Sequence, residues 1–186
     1  MKFQAAQLPG CYEILPVASK DERGSFVKIF HQGLFSEKGL ETLFVEDFYS
    51  ISKQGVLRGL HFQTPPHAAA KLVTCLSGTV LDAVVDLRRG SPSYGRFATF
   101  TLDDEKGNLL YVPAGFAHGF YVTRGPALML YKATALYDKA HDTGIRWDSA
   151  GIPWPDLRPI VSERDGRFPP LDDFKTPFLF SRAHGT

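Results

Sequence analysis

The stretch KLVTCLSGTVLDAVVDL, Lys71–Leu87, decides the fold class. Its residues alternate rather than repeat at helical spacing. Val80, Asp82, Val84 and Asp86 fall on one face of an extended chain, and Thr79, Leu81, Ala83, Val85 and Leu87 on the other. KLVTCL before Ser77-Gly78 and TVLDAVVDL after it read as two strands joined by a tight turn. Outward from there the pattern continues. RRGSPSYG is rich in turn formers, and RFATFTL, the acidic turn DDEKGN, LLYVP, AGFAHGFYV, the turn TRGP and ALMLYKATALY follow. Turn signals recur about every eight to twelve residues, the spacing of an antiparallel sandwich or barrel. Helical periodicity is weak: HQGLFSEKGL (31–40) reads as a short helix, and LDDFKTPFLF (171–180) as another or as a loop. From Asp138 on, alternation fades. WDSAGIPWPDLRP reads as an irregular segment anchored across a sheet by its aromatics, able to cover a barrel end or carry a residue into a pocket.

The whole chain sets the outer limits. Its 186 residues suffice for one domain with a single core, and no linker or repeat divides them. The formal charge is +1, so an anion site must be local, and neither a nucleic-acid nor a membrane surface is indicated. The 15 Phe and 7 Tyr suit pleated surfaces. Two cysteines, Cys11 and Cys75, cannot build a secreted disulfide framework and read as free thiols of a cytoplasmic protein. MKFQAAQLPG lacks the apolar core of a signal peptide, and no apolar run approaches the ~20 residues a membrane span needs.

Several side chains carry possible chemistry. His61 lies in LRGLHFQTPP (57–66), with Arg58 three residues before it and Lys71 ten after it. A histidine in a strand is most often a structural, hydrogen-bonded group, but two cations beside a titratable base can hold an anion and move a proton. Strict alternation puts Arg58 and His61 on opposite faces, so a shared pocket requires a bulge, for which Gly59 is the candidate. Lys71 alone reads as a solvated strand end. Asp82, mid-strand, needs a partner if buried, whereas Asp86 beside Arg88 and Arg89 suits a structural ion pair. His118 sits in AGFAHGF (114–120), whose glycines permit close backbone approach. Tyr131 shares a face with Met129 and Ala133, a core position unless its hydroxyl meets a polar pocket. Asp165 lies in a charged loop. A metal is not indicated: six histidines stand at 31, 61, 67, 118, 141 and 184 with no His-x-His pair, and the cysteines lack CxxC spacing. Phosphate-loop, nucleophile-elbow and dinucleotide fingerprints are missing.

Taken together, DERGSF (21–26), GVLRGLHFQ (55–63), KLV (71–73), SGTVLDAVVDLRRGSPSYG (77–95), VPAGFAHGF (112–120), LYKAT (130–134), GIRWD (144–148) and SERD (162–165) resemble the nucleotide-sugar 3,5-epimerase family. The pieces stand in family order along most of the chain. The resemblance implies an all-β, cupin-type antiparallel jelly-roll barrel with short peripheral helices, in a family of homodimers that needs no metal or organic cofactor. It implies a nucleoside-diphosphate 4-keto-6-deoxy sugar as substrate, inverted through an enolate. His61 matches the family base, Asp165 its partner carboxylate, Tyr131 the acid on the opposite face and Lys71 the cation for the enolate. Arg23 and Arg58 match substrate-binding arginines; Gln63, Asp82 and His118 match further pocket residues.

The departures fall elsewhere. Glu46-Asp47-Phe48-Tyr49-Ser50 stands where typical members read Q-D-N-H-S. Lys28 replaces a typical Glu, and Ala133-Thr134-Ala135-Leu136-Tyr137 stands where they read T-T-D-Y-Y after the tyrosine. Glu46 and Lys28 change charge at positions that the resemblance places around the substrate, while the proton-transfer residues are intact. The expectation is a member with shifted recognition: another nucleotide, another keto sugar, or inversion at C3 alone. Ketoisomerase and binding-module readings compete with it. Phe26 and Phe30 fit either strand exchange or packing within one chain.

Overall fold

The computed structural model describes residues 1–181; His184 lies outside them. Eleven strands are described. These are β1 (Lys2–Ala5), β2 (Tyr12–Leu15), β3 (Val17–Asp21), β4 (Gly24–Lys28), β5 (Glu46–Ser52), β6 (Leu57–Gln63), β7 (Lys71–Asp86), β8 (Phe97–Asp103), β9 (Leu109–Val112), β10 (Phe116–Ala133) and β11 (Asp142–Gly144). Helix α1 (Gln32–Glu37) and the single turn α2 (Glu163–Gly166) are peripheral. This is the antiparallel jelly-roll barrel that the sequence implies.

Two long strands organise it. β7 and β10 pair antiparallel from Phe116↔Asp86 to Ala133↔Lys71. The first half of β7 pairs with β9 and its second half with β8. The first half of β10 pairs with β6 and its second half with β5. Two facing sheets result, β1-β2-β9-β7-β10-β5 and β8-β7-β10-β6-β11, sharing the two central strands. Val73, Val80, Val84, Leu110, Phe120 and Met129 fill the space between them. The opposite face of the second sheet is covered by the C-terminal segment. Trp154, Ile152 and Phe178 pack there on Ala83, Val85 and Leu87, so β7 is apolar on both faces.

Two expected turns are not reversals. Ser77-Gly78 bends β7 without ending it, and TRGP lies inside β10, where the register slips between Val122 and Leu128. Gly78 has φ +88, and a Cβ there would stand 2.6 Å from the Arg124 carbonyl oxygen and 2.9 Å from Ala127 Cα. The glycine therefore lets one strand fold across its partner, which local turn chemistry cannot distinguish from a hairpin. Helix α1 forms within 31–40 with His31 as N-cap. In 171–180 only the turn Leu171–Asp173 is helical, and Leu179 then makes a bridge to Arg89. Asp86 is the expected structural partner: both its oxygens take Arg88, at 2.8 and 2.9 Å, and Ser91 and Ser93 donate to Oδ2. Phe30 packs in its own chain against Phe35 and Phe44, whereas Phe26 on the β3–β4 ribbon is 70% exposed.

Gly78→Ala is expected to cost about 2–4 kcal/mol in urea denaturation, combining a left-handed backbone with a backbone clash. Gly39→Ala, at φ +66 with nothing within 4 Å of the new methyl, is expected to cost only about 1–2 kcal/mol. Equal losses would contradict the assigned bend.

Candidate active site

A cavity of about 320 Å³ opens between the sheets. Arg58, His61 and Gln63 reach it from β6, Lys71 from β7, His118 and Tyr131 from β10, and Glu46, Phe48 and Ser50 from β5. Arg58 and His61 share it because β6 is irregular at Gly59, where φ is +139 and the register against β10 slips between His118 and Phe120. The bulge required by the sequence is present.

His61 Nε2 lies 2.8 Å from Asp165 Oδ1. The carboxylate takes the Nε2 proton and leaves Nδ1 as the nitrogen able to accept another. Asp165 stands on α2, whose N-cap Ser162 accepts from the Asp165 amide, and its Oδ2 accepts the Gly59 N–H at 3.1 Å. Burial alone raises its pKa, but the hydrogen bond and charge of His61 and the Gly59 amide outweigh burial and hold it below the ordinary carboxylate range. The expected loop residue is thus a buried carboxylate.

Tyr131 is buried, its ring stacked on Phe48 at 4.8 Å and 10°. Burial pushes its phenol well above the ordinary value, so it is a neutral O–H donor at neutral pH. Lys71 has no ion pair within 4.0 Å among the described residues. Burial lowers its pKa, opposed by the charges of Asp142 and Asp82. His118 Nε2 meets both oxygens of Asp82, at 3.0 and 2.9 Å. His118 lines the cavity, and Asp82 lies fully buried behind it, pushed up by burial against the pull of His118. Arg58 Nε donates to Ser52 Oγ at 2.8 Å. Gln63 spans two loops through the His67 carbonyl and the Asp138 amide. Glu46 Oε2 accepts the Tyr137 N–H at 2.6 Å.

Arg23 and Lys28 are not brought to this cavity. Both lie on the exposed β3–β4 ribbon, where Arg23 pairs with Asp21 at 2.6 Å. Sequence reasoning missed Arg164 and Asp142, which line the cavity and pair at 2.7 Å. The one available signal was Arg164's place beside Asp165 in SERD.

The chain is similar to known proteins over most of its length. A sequence model of the dTDP-4-dehydrorhamnose 3,5-epimerase family matches residues 5–173. The chain is 42% identical to dTDP-4-dehydrorhamnose 3,5-epimerase of Methanothermobacter thermautotrophicus, over 91% of this chain and 94% of that protein. A crystal structure of dTDP-4-dehydrorhamnose 3,5-epimerase from Elizabethkingia anophelis superposes with a TM-score of 0.88 at 41% identity, covering 93% of this chain and 97% of that one. The dTDP-6-deoxy-D-glucose-3,5-epimerase of Legionella pneumophila, solved in complex with dTDP-4-keto-L-rhamnose, gives 0.92 at 33% identity, over 97% and 99%.

The half-buried cation yields a stability prediction. The folded-state pKa of Lys71 lies below its ordinary 10.5, so between the two the unfolded chain holds more protons and stability rises with pH. At neutral pH the charge therefore costs stability, and Lys71→Met is expected to stabilise the ligand-free protein by about 1 kcal/mol in urea melts. A destabilised variant would show that Asp82 and Asp142 more than offset the burial.

Proposed function

The chain belongs to the dTDP-4-dehydrorhamnose 3,5-epimerase family, an isomerase class, and from that premise we propose how its own residues carry the reaction. The substrate is a nucleoside-diphosphate 4-keto-6-deoxy sugar of deoxysugar biosynthesis. Its C4 ketone acidifies the hydrogens on C3 and C5. His61 Nδ1 removes one of them, Asp165 stabilises the imidazolium, and the Lys71 ammonium meets the negative charge developing on the C4 oxygen. Tyr131 returns a proton from the opposite face, which inverts the carbon. Arg58 holds the diphosphate, Gln63, Glu46 and His118 shape the sugar and nucleotide contacts, and Asp82 fixes His118. The observation that carries this reading is one cavity lined by His61, Tyr131 and Lys71, with Asp165 held 2.8 Å from the His61 ring. The chemistry calls on no cofactor.

The thymidine-linked sugars of the relatives are the first substrates to test. Glu46 favours a second reading, recognition of a different nucleotide: the carboxylate is in the cavity and lacks the donor of an amide.

The working unit is a homodimer. Every residue of β3 is exposed, and Arg23 is 86% exposed, far from any role in its own cavity. The edge strand β5 also shows Tyr49 and Ile51 to solvent at 68% and 63%. A second copy that covers these surfaces would bring Arg23 and Lys28 toward its neighbour's cavity. The two cysteines are free and buried, which suits a reducing cytoplasm, and no helix among the described residues is long and apolar enough to cross a membrane.

Proton NMR in heavy water, with 4-keto-6-deoxy-glucose linked to dTDP, CDP, GDP or UDP, tests the mechanism. His61→Ala is expected to slow C–H exchange by about 10²–10⁴-fold. Tyr131→Phe should still wash out the proton but return it to the face it left. Exchange at both C3 and C5 identifies a 3,5-epimerase, and exchange at C3 alone a 3-epimerase. No exchange with any donor would overturn the reading. For the dimer, light scattering should give twice the chain mass of 20.7 kDa, and Arg23→Ala should raise KM with kcat nearly unchanged.

A further inference from the structure

Two loops meet beside the mouth of the cavity. One follows β6 and carries His67; the other precedes β11 and carries Asp138 and His141. His67 Nε2 lies 3.8 Å from Asp138 Oδ2, and His141 Nδ1 lies 2.7 Å from Asp138 Oδ1. The two imidazoles face each other with centroids 4.6 Å apart, at 35°. One donor atom from each of the three side chains lies within 4.8 Å of the others. None of the three lines the cavity that holds His61.

We propose that His67, Asp138 and His141 form a binding site for a divalent first-row transition ion of the zinc class, which clips the two loops together at the mouth of the cavity.

Three features support this. The first is the donor set. Two imidazoles and a carboxylate suit zinc, cobalt, nickel or copper, whereas calcium and magnesium prefer oxygen alone. Three protein ligands leave a position for water. Tetrahedral zinc sets its ligand atoms roughly 3.3 Å apart, so the 3.8 Å His67–Asp138 separation shortens on binding, while the 2.7 Å His141–Asp138 contact lengthens and gives up the proton it shares. The second is placement. The Asp138 carboxylate turns Oδ1 to His141 Nδ1 at 2.7 Å and Oδ2 to His67 Nε2 at 3.8 Å, so one acidic group already lies between the two imidazoles. The third is preorganisation. Gln63 Nε2 donates to the His67 carbonyl at 2.9 Å and Gln63 Oε1 accepts the Asp138 amide at 2.6 Å, while the Thr64 amide donates to the His141 carbonyl at 2.9 Å. The loops are already tied to each other, so an ion does not have to order them. Because Gln63 also lines the cavity, a bound ion would stiffen its mouth without entering the proton transfer.

The experiment uses the full chain stripped with a chelator. Zinc is titrated by calorimetry, and cobalt by its visible d–d absorption. One ion per chain is expected, with a rise in the melting temperature. His67→Ala and His141→Ala should each weaken binding by at least the ~10–100-fold typical of losing even an outer-shell partner. Circular dichroism confirms folding, and His67→Gln keeps the side-chain bulk as a second variant. Absence of binding below millimolar ion overturns the proposal, as does binding that none of these substitutions weakens, which would place the ion on other histidines or the thiols.

Discussion

Gly59 and Gly119 meet backbone to backbone, and the position of His61 depends on that contact. A Cβ on Gly59 would stand 2.6 Å from Gly119 Cα, and one on Gly119 would stand 2.6 Å from the Arg58 carbonyl oxygen. No side chain fits at either place. With both residues glycine, β6 can kink against β10, and Arg58 and His61 turn toward the same cavity although they are three residues apart. The kink also aims the Gly59 N–H at Asp165 Oδ2. One backbone irregularity thus orients the imidazole and supplies a donor to the carboxylate that holds it.

The two histidine–carboxylate pairs differ in what surrounds them, and this separates their roles. Asp82 and Asp165 are both buried, and burial by itself favours the neutral acid in each. Asp165 has His61, the Gly59 amide and Ser162 to stabilise its charge, and its pKa ends below the ordinary value. Asp82 has His118 and the more distant Lys71, and its pKa ends above. A fixed carboxylate anion orients the His61 ring and stabilises the imidazolium that forms once a base there has taken a proton. In the His118 pair both members are buried, the imidazole at the cavity lining and the carboxylate behind it.

The fold was legible because alternation along Lys71–Leu87 and the recurrent turn signals are local properties. The path at Ser77-Gly78 and TRGP was not, because a bend and a hairpin use the same residues, and only the opposing strand shows which is present. Gly59 was legible as a bulge from geometry alone, since Arg58 and His61 could share a pocket no other way. The burial of Asp165 was not legible from its charged neighbourhood, because it depends on α2 docking beside β6 from a hundred residues away. Arg164 was missed for the same reason, its place in SERD being the one signal. The resemblance pointed to Arg23, but nothing in one chain places that exposed ribbon near a cavity.

The rim around the substitution at Glu46 has partners of its own. Glu46 accepts the Tyr137 amide, and Lys132 pairs with Asp47 at 2.6 Å. These residues lie on β5, on the outer end of β10 and on the loop that follows it. Among the described residues of one chain β5 pairs with β10 alone, so a change there disturbs one neighbouring strand of its own barrel. His61, Lys71 and Tyr131 instead project from β6, β7 and β10, each paired on both sides. A change in a central strand must be accommodated by two neighbours and by the packed interior. The groups proposed for proton transfer therefore stand on strands constrained from both sides, whereas Glu46, which departs from typical members, stands on a strand paired within the chain on one side. A substitution at Glu46 can thus be accommodated without displacing His61, Lys71 or Tyr131.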